Sequence, residues 1–192
     1  MTIIRLLFVS LLLCGSFAKA ETSSGGIGLN VGLGFPFLSQ AGINYRLSDK
    51  IGFSVGYNLL SLTIGQASIK LSMPEALVYF HPFSGAFFLG GGVGQEKLET
   101  TATETGGADQ VSIDVSAKTV IAKVGFMWGA ANGGFWFGID ASYIKPSSPE
   151  TTITAPGVPV TDQSYIDAVD AANDFGDAAY TSLTFARFGW LF

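Results

Sequence analysis

Apolar and polar residues alternate at every second position over most of the chain. In segment 51–60, for example, Phe53 and Val55 fall on one face while Ser54 and Gly56 fall on the other. A period of two is that of a β-strand with one apolar face. The pattern predicts eight strands, at 26–35, 38–47, 51–60, 68–80, 86–98, 115–128, 134–144 and 180–192. Pro74 lies inside the fourth and predicts a bulge or a break in its alternation.

The segments between these strands alternate in length after the first hairpin. Short turns are predicted at 48–50, 81–85 and 130–133, and longer loops at 99–114 and 145–179. Four prolines make the first half of the 145–179 loop irregular, and a short helical turn is predicted at 165–172. The acidic residues of this loop predict a solvated surface, or else a weak cation site or a contact with a basic partner, although no calcium-loop spacing is present.

The last strand shows what the two faces require. Counted back in twos from Phe192, one face carries Trp190 and Phe188, and the other carries Arg187 and Phe185. A strand between lipid and the lumen of a closed barrel needs an apolar outer face and a partly polar inner face. The fold class predicted is therefore all-β: an eight-stranded antiparallel up-and-down transmembrane β-barrel over 21–192.

The N-terminal 20 residues predict a cleaved signal peptide. Arg5 precedes an apolar run at 6–13, and Ala18, Lys19 and Ala20 form a small-x-small cleavage site. Cleavage would remove the single cysteine and, with Arg5 and Lys19, change the formal charge from −5 to −7. An acidic chain without thiols argues against disulfide chemistry and against nucleic acid as a partner.

Composition supports strands rather than membrane helices. The chain has 25 Gly, 16 Phe and 13 % charged residues, with a mean hydropathy of +0.41. After the signal peptide no apolar run approaches the roughly 20 residues of a membrane helix. The apolar content must therefore be spread over strands with one lipid-facing side.

The C-terminal residues Phe188, Trp190 and Phe192 resemble the terminal signature of bacterial outer-membrane β-barrels. The chain as a whole resembles the small eight-stranded barrels of the OmpA/OmpX type. The resemblance implies location in the bacterial outer membrane, periplasmic termini, and recognition of the terminal motif by the barrel-assembly machinery and periplasmic chaperones. It also implies contact with outer-membrane lipid and lipopolysaccharide. The predicted short turns fall where such barrels have periplasmic turns.

Six charged residues are predicted to face the lumen and form a polar network: Arg46, Glu75, Glu96, Lys123, Asp140 and Arg187. If the 130–133 turn closes symmetrically, Lys123 lies directly opposite Asp140. The network predicts either a salt-bridged plug or a gated, narrow pore. Inward glycines are predicted to pack against four inward rings, those of Trp136, Phe88, Tyr79 and Phe185.

No catalytic, cofactor-binding or metal-binding residue is predicted. His81, the single histidine, falls in a predicted periplasmic turn, whereas barrel enzymes that edit lipid A use histidine near the extracellular rim. The function predicted is a structural or surface-interaction membrane protein without catalysis. The alternatives are a narrow channel for small solutes or ions and, with less support, a lipid-A-modifying barrel enzyme.

Overall fold

The structure, a computed structural model, describes residues 25–65, 67–103, 110–130, 133–154 and 163–192. The predicted signal peptide lies outside these residues and stays a prediction. Eight strands pair antiparallel in sequence order and close into one barrel, which confirms the predicted fold class. The strands are β1 (Gly26–Phe35), β2 (Ser39–Arg46), β3 (Ile51–Ile64), β4 (Ala67–Phe80), β5 (Phe87–Thr103), β6 (Gln110–Trp128), β7 (Gly134–Thr154) and β8 (Tyr180–Leu191).

The two faces of each strand differ in exposure as the alternation predicts. On β6, Val120 and Val124 point outward and are 61 % and 42 % exposed, whereas Ile121 and Lys123 between them are buried in the lumen. In a barrel without lipid around it, outward apolar side chains count as exposed. The outer surface is therefore an apolar belt that needs a membrane to cover it.

Four strands are longer than predicted by four residues or more, and one of them is β3, which continues to Ile64. β5 continues to Thr103, β6 begins at Gln110, and β7 continues to Thr154, so most of the predicted 99–114 loop and the first part of the 145–179 loop are strand. β7 tolerates its prolines for two reasons. Its pairing with β8 ends at Ile144, so Pro146 lies where β7 has a free edge, and Pro149 lies at a bulge, where the register with β6 shifts.

Of the bulge or break in alternation predicted at Pro74, the bulge is absent, but the alternation does break beside it, where Leu71, Ser72 and Met73 are all buried. Pro74 lies directly opposite Tyr57 in a continuous register with β3. On the other side, pairing with β5 pauses between Ser72 and Glu75 and resumes in the same register. Proline has no N–H to donate, so two positions of one ladder are lost without a shift of the strand.

A bulge in β8 reverses one predicted orientation. The register shifts against both neighbours, β1 and β7, near Phe185, so β8 carries an extra residue there. Thr184 and Arg187 both face the lumen as a result, and Phe185 points outward with 61 % exposure. The prediction that Phe185 fills the lumen is wrong, because a bulge exchanges the two faces of a strand.

Large lumen side chains lie opposite glycines on the neighbouring strand. Trp136 pairs with Gly189, and a Cβ on Gly189 would overlap the indole ring. Leu77 and Gly92 form a similar pair, with the Leu77 side chain 2.7 Å from a Cβ added at Gly92. An eight-stranded barrel has room inside only for side chains, and the glycines provide the space into which these side chains fold.

Helix α1 (Gln163–Asp177) replaces the short helical turn predicted at 165–172. It packs on the inner face of β6 and β7 beyond the apolar belt, where Gly176 lies against Val115 and Pro149. Thr151 on β7 donates a hydrogen bond of 2.7 Å to Asn173 of the helix. Among the described residues, no helix is long and apolar enough to cross a membrane.

Candidate functional site: the polar network of the lumen

Four of the six predicted lumen residues meet at the centre of the barrel. Lys123 Nζ lies 3.3 Å from Glu75 Oε1 and 3.6 Å from Asp140 Oδ1. Arg187 Nη2 lies 3.1 Å from Asp140 Oδ2. All four side chains are buried, and their formal charges sum to zero. Pairing offsets the cost of removing each charge from water, and that cost returns when one partner is lost.

Neutral side chains complete the network, and sequence reasoning missed them. Gln40 accepts a hydrogen bond of 3.1 Å from Arg187 and donates one of 3.1 Å to Thr184, which in turn donates to Asp140 at 3.1 Å. Gln40 could have been found, because it lies in phase with the inward residues of β2. Thr184 could not, because the bulge in β8 turns it inward.

The Tyr79 hydroxyl joins the network from the short-turn side. It accepts hydrogen bonds from Ser54 Oγ at 3.0 Å and from Arg187 Nη1 at 3.5 Å. Its ring packs edge-on against Phe88, with 5.0 Å between the ring centres. Tyr79 is therefore a member of the charged layer through its oxygen and of the adjoining apolar layer through its ring.

The predicted register of β6 and β7 is wrong by two residues. Lys123 lies opposite Ser142, and Asp140 lies opposite Gly125. The last pair before the turn is Trp128 with Phe137. A turn that closed symmetrically at 130–133 would instead pair Trp128 with Phe135. The side chains of Lys123 and Asp140 meet along a diagonal, which long side chains can span.

Glu96 and Arg46 lie away from the centre. Glu96 accepts a hydrogen bond of 2.8 Å from the Tyr180 hydroxyl, towards the long-loop end. Arg46 lies at the short-turn end, 3.0 Å from Asp49, and donates to the backbone carbonyl of Ala130 in the turn between β6 and β7. Arg46 thus ties two short turns together across that mouth of the barrel.

Apolar layers cover the network on both sides. Towards the short turns lie the buried rings of Trp136 and Phe88. Towards the long loops lies a cluster around Met73, Ile121 and Phe37, with the Phe37 ring 6.4 Å from that of Tyr180. The four central charges, those of Glu75, Lys123, Asp140 and Arg187, are therefore separated from both mouths by packed side chains.

His81 follows β4 in a short turn. Its Nδ1 lies 3.0 Å from the carbonyl oxygen of Gly85 and 3.1 Å from that of Phe87, so this nitrogen carries the proton and holds the turn. Burial lowers the pKa of His81 below 6.5, and the nearby charge of Arg46 lowers it further, against the effect of the two hydrogen bonds. In the described part of the chain, no group of three or more His, Cys, Asp and Glu residues is arranged to hold a metal ion.

Solved outer-membrane β-barrels share this fold. A major outer membrane protein from Thermus thermophilus matches with a TM-score of 0.62 and 11 % identity, over 90 % of this chain and all of that one. Neisserial surface protein A matches with a TM-score of 0.51 and 10 % identity, over the same shares. CarO2 of Acinetobacter baumannii matches with a TM-score of 0.49 and 11 % identity, over 87 % of this chain and 98 % of that one.

No protein-family model and no curated protein sequence matches the chain. At these identities the Thermus and Neisserial structures define the fold class alone, that of an outer-membrane β-barrel. The narrower resemblance to the OmpA/OmpX type stays a prediction.

Proposed function

We propose that this protein is an integral barrel of the bacterial outer membrane with a sealed lumen, and that its role is structural or surface-interacting rather than catalytic. The observation that supports this best is the filled lumen. The neutral cluster of Glu75, Lys123, Asp140 and Arg187 lies between two apolar layers, so an ion entering from either mouth meets packed side chains. A barrel filled in this way offers its outer surface and its long loops for function.

The long-loop end supports a role in surface contacts. β5, β6 and β7 continue past the apolar belt, and α1 packs on the inner face of β6 and β7. We propose that the termini are periplasmic, as the resemblance implies, and this extension then lies outside the cell. It presents backbone and side chains well above the membrane, where a partner can reach them.

The C-terminal residues are proposed to act as the assembly signal. Phe188 and Phe192 point outward, 42 % and 57 % exposed, and Trp190 lies opposite Phe135. The backbone N–H of Phe192 donates a hydrogen bond of 2.8 Å to Ile27 on β1, at the seam that closes the barrel. Side chains that contribute little to internal packing are free to be read by the barrel-assembly machinery and periplasmic chaperones.

Single-channel recording of the refolded protein in planar lipid bilayers tests the sealed lumen. We expect no steady conductance from the wild type, and openings after Trp136→Ala combined with Lys123→Met, which removes the larger ring of the layer towards the short turns and unbalances the network. Phe135→Ala, on the lipid face of the same strand, is the control and should stay closed. Steady wild-type current whose cation preference changes in Asp140→Asn would contradict a sealed lumen.

A narrow channel is the second candidate. The observation that favours it is the run of polar side chains along the lumen, including the buried Asn44 Nδ2 and Arg187 Nε, which have no hydrogen-bond partner in the described part of the chain. Catalysis on lipid A has less support. His81 lies at the short-turn end, and its Nδ1 is already occupied by two carbonyl groups.

A further inference from the structure

Four lysines form a row on the outer surface near the long-loop end. Each of four consecutive strands, β4 to β7, carries one of them: Lys70, Lys97, Lys118 and Lys145. Among the residues that the structure describes, these are all of the outward basic side chains at this end. The other basic residues lie in the lumen or near the short turns. The strands β1, β2, β3 and β8 therefore leave the opposite side of the barrel without a positive charge at this level.

The strand register places the four lysines at similar heights. Lys70 lies opposite Glu99, and Glu99 is two residues from Lys97 on β5. Lys97 lies opposite Ser116, and Ser116 is two residues from Lys118 on β6. The stagger continues in the same direction to Lys145, which is two residues from Ser147, the partner of Lys118. Tilted strands of a barrel require such a stagger to keep residues level. Neighbouring lysines are then diagonal neighbours, roughly 7–8 Å apart between their backbones.

The row lies at the edge of the apolar belt. Lys118 is the next outward residue after Val120, and Lys145 is the next after Tyr143. Trp128, at the other edge, lies ten residues further along β6. At about 3.3 Å per residue and a tilt of roughly 40°, this separation corresponds to the apolar band of about 25 Å in membrane barrels. The lysines thus lie at the level of lipid headgroups.

Carboxylates neutralise the row only in part. Glu99 lies 3.0 Å from Lys70 and also pairs with Lys97, and Asp177 lies 3.6 Å from Lys145. Lys118, in the middle, forms no ion pair with any residue that the structure describes. Two further outward carboxylates lie one step nearer the long loops, Asp114 opposite Glu99 and Glu150 opposite Ser116, and neither forms an ion pair with a lysine of the row. At the level of the row itself, four ammonium groups are therefore paired with two carboxylates.

We propose that this lysine row binds the phosphate groups of phosphorylated lipid headgroups in the leaflet at the long-loop end, and does so on one side of the barrel only. Flexible lysine side chains at a membrane interface extend from apolar surface towards charged headgroups, and each gains attraction from an anionic one. Lys118, which lies between Lys97 and Lys145 and forms no ion pair with a described residue, is the point where an anion gains most. The proposal rests on the proposed membrane location.

The test is lipid binding by the refolded protein in neutral detergent micelles, with native mass spectrometry to count bound molecules. The probes are lipid A, lipid A without its phosphates, and inorganic phosphate. We expect lipid A to bind about fivefold more weakly to Lys118→Gln than to the wild type. In a triple variant that also carries Lys97→Gln and Lys145→Gln, we expect each further substitution to weaken binding by about the same factor. Lys50→Gln, an exposed lysine near the short turns, is the control and should bind as the wild type does.

A variant with the opposite effect makes the test sharper. Glu99→Gln frees two lysines, and we expect it to bind lipid A more tightly, by about fivefold. Asp170→Asn removes the same charge from the exposed face of α1 and should change nothing. Both dephosphorylated lipid A and inorganic phosphate should bind weakly and equally to wild type and triple variant.

Three results would overturn the proposal. One is a triple variant that binds lipid A as the wild type does, as expected if the row contacts a protein instead. Another is a loss in Lys50→Gln equal to that in Lys118→Gln, which would mean general charge attraction. The third is inorganic phosphate bound as tightly as lipid A. If the wild type conducts ions but still binds lipid A through the lysines, the sealed lumen is contradicted and the lipid-binding proposal is not.

Discussion

Lys123 and Asp140 belong to neighbouring strands but are not directly opposite each other. Lys123 pairs with Ser142 and Asp140 with Gly125, and the two side chains meet diagonally at 3.6 Å. Each is also shared, Lys123 with Glu75 and Asp140 with Arg187. The charges therefore stabilise one another as a group of four. The net charge that a substitution leaves in this group decides how much stability it costs.

The double replacement Lys123→Met with Asp140→Leu should destabilise the barrel less than either single replacement. Each single change leaves the lumen with one uncompensated charge, at a cost on the order of 3–5 kcal/mol for a buried group. The double change leaves Glu75 and Arg187, whose charges cancel. Urea unfolding of the refolded protein in lipid vesicles measures the three free energies. Strictly additive losses would show that the two residues do not act together.

Depth in the membrane should decide the cost of an outward arginine. Val124 and Ser112 both lie on the outward face of β6, but Val124 lies mid-belt and Ser112 lies beyond the lysine row. We expect Val124→Arg to cost about 2–4 kcal/mol and Ser112→Arg less than about 1 kcal/mol. The same unfolding assay provides the comparison. Equal costs would mean that the apolar belt does not face lipid.

Adding one methyl group at Gly189 should disturb the lumen. The new Cβ would overlap the indole of Trp136, and such overpacking costs about 1–3 kcal/mol. Gly91→Ala is the matched control, because Gly91 faces outward and the atom nearest to its added Cβ would be 3.9 Å away. Its unfolding free energy should stay within about 0.5 kcal/mol of the wild type. A harmless Gly189→Ala would mean that the ring can move aside.

Deleting Phe192 should lower insertion in cells more than it lowers stability. In the folded barrel this residue contributes one backbone hydrogen bond to Ile27 and an exposed ring, so we expect a loss of about 1 kcal/mol after refolding in vitro. The heat-modifiable barrel in outer-membrane fractions should decrease clearly, and a Phe83→Ala control, an exposed ring in a short turn, should not. A wild-type amount after the deletion would contradict an assembly role.

The fold was predictable because one rule applies to every strand. Lipid outside and a narrow lumen inside impose the period of two, so the inward positions of Lys123, Asp140 and Trp136 follow from counting. The rule depends only on neighbours in sequence. It therefore predicts strands and faces well wherever no residue is inserted.

Bulges and registers were not predictable, because they depend on pairing between strands. The extra residue near Phe185 changes the faces on its N-terminal side and brings Thr184 to Asp140. The two-residue error at the β6–β7 hairpin has the same origin, since the closing pair is Trp128 with Phe137, whose rings stack with 5.8 Å between their centres, and such a contact between strands is not visible in the turn sequence. Strand extension through Pro146 likewise depends on the pairing of β7 with β8 ending at Tyr180.

The glycines opposite the large lumen residues have a consequence for how such a protein can change. The lumen is occupied by a few rings and charged side chains. The neighbouring strand positions, Gly189 and Gly92, have no side chains that could fill the lumen in their place. A small number of replacements at Trp136, Tyr79 and Leu77 would therefore hollow the tube without altering its number of strands. A closed barrel of this design is separated from an open conduit by a short mutational path.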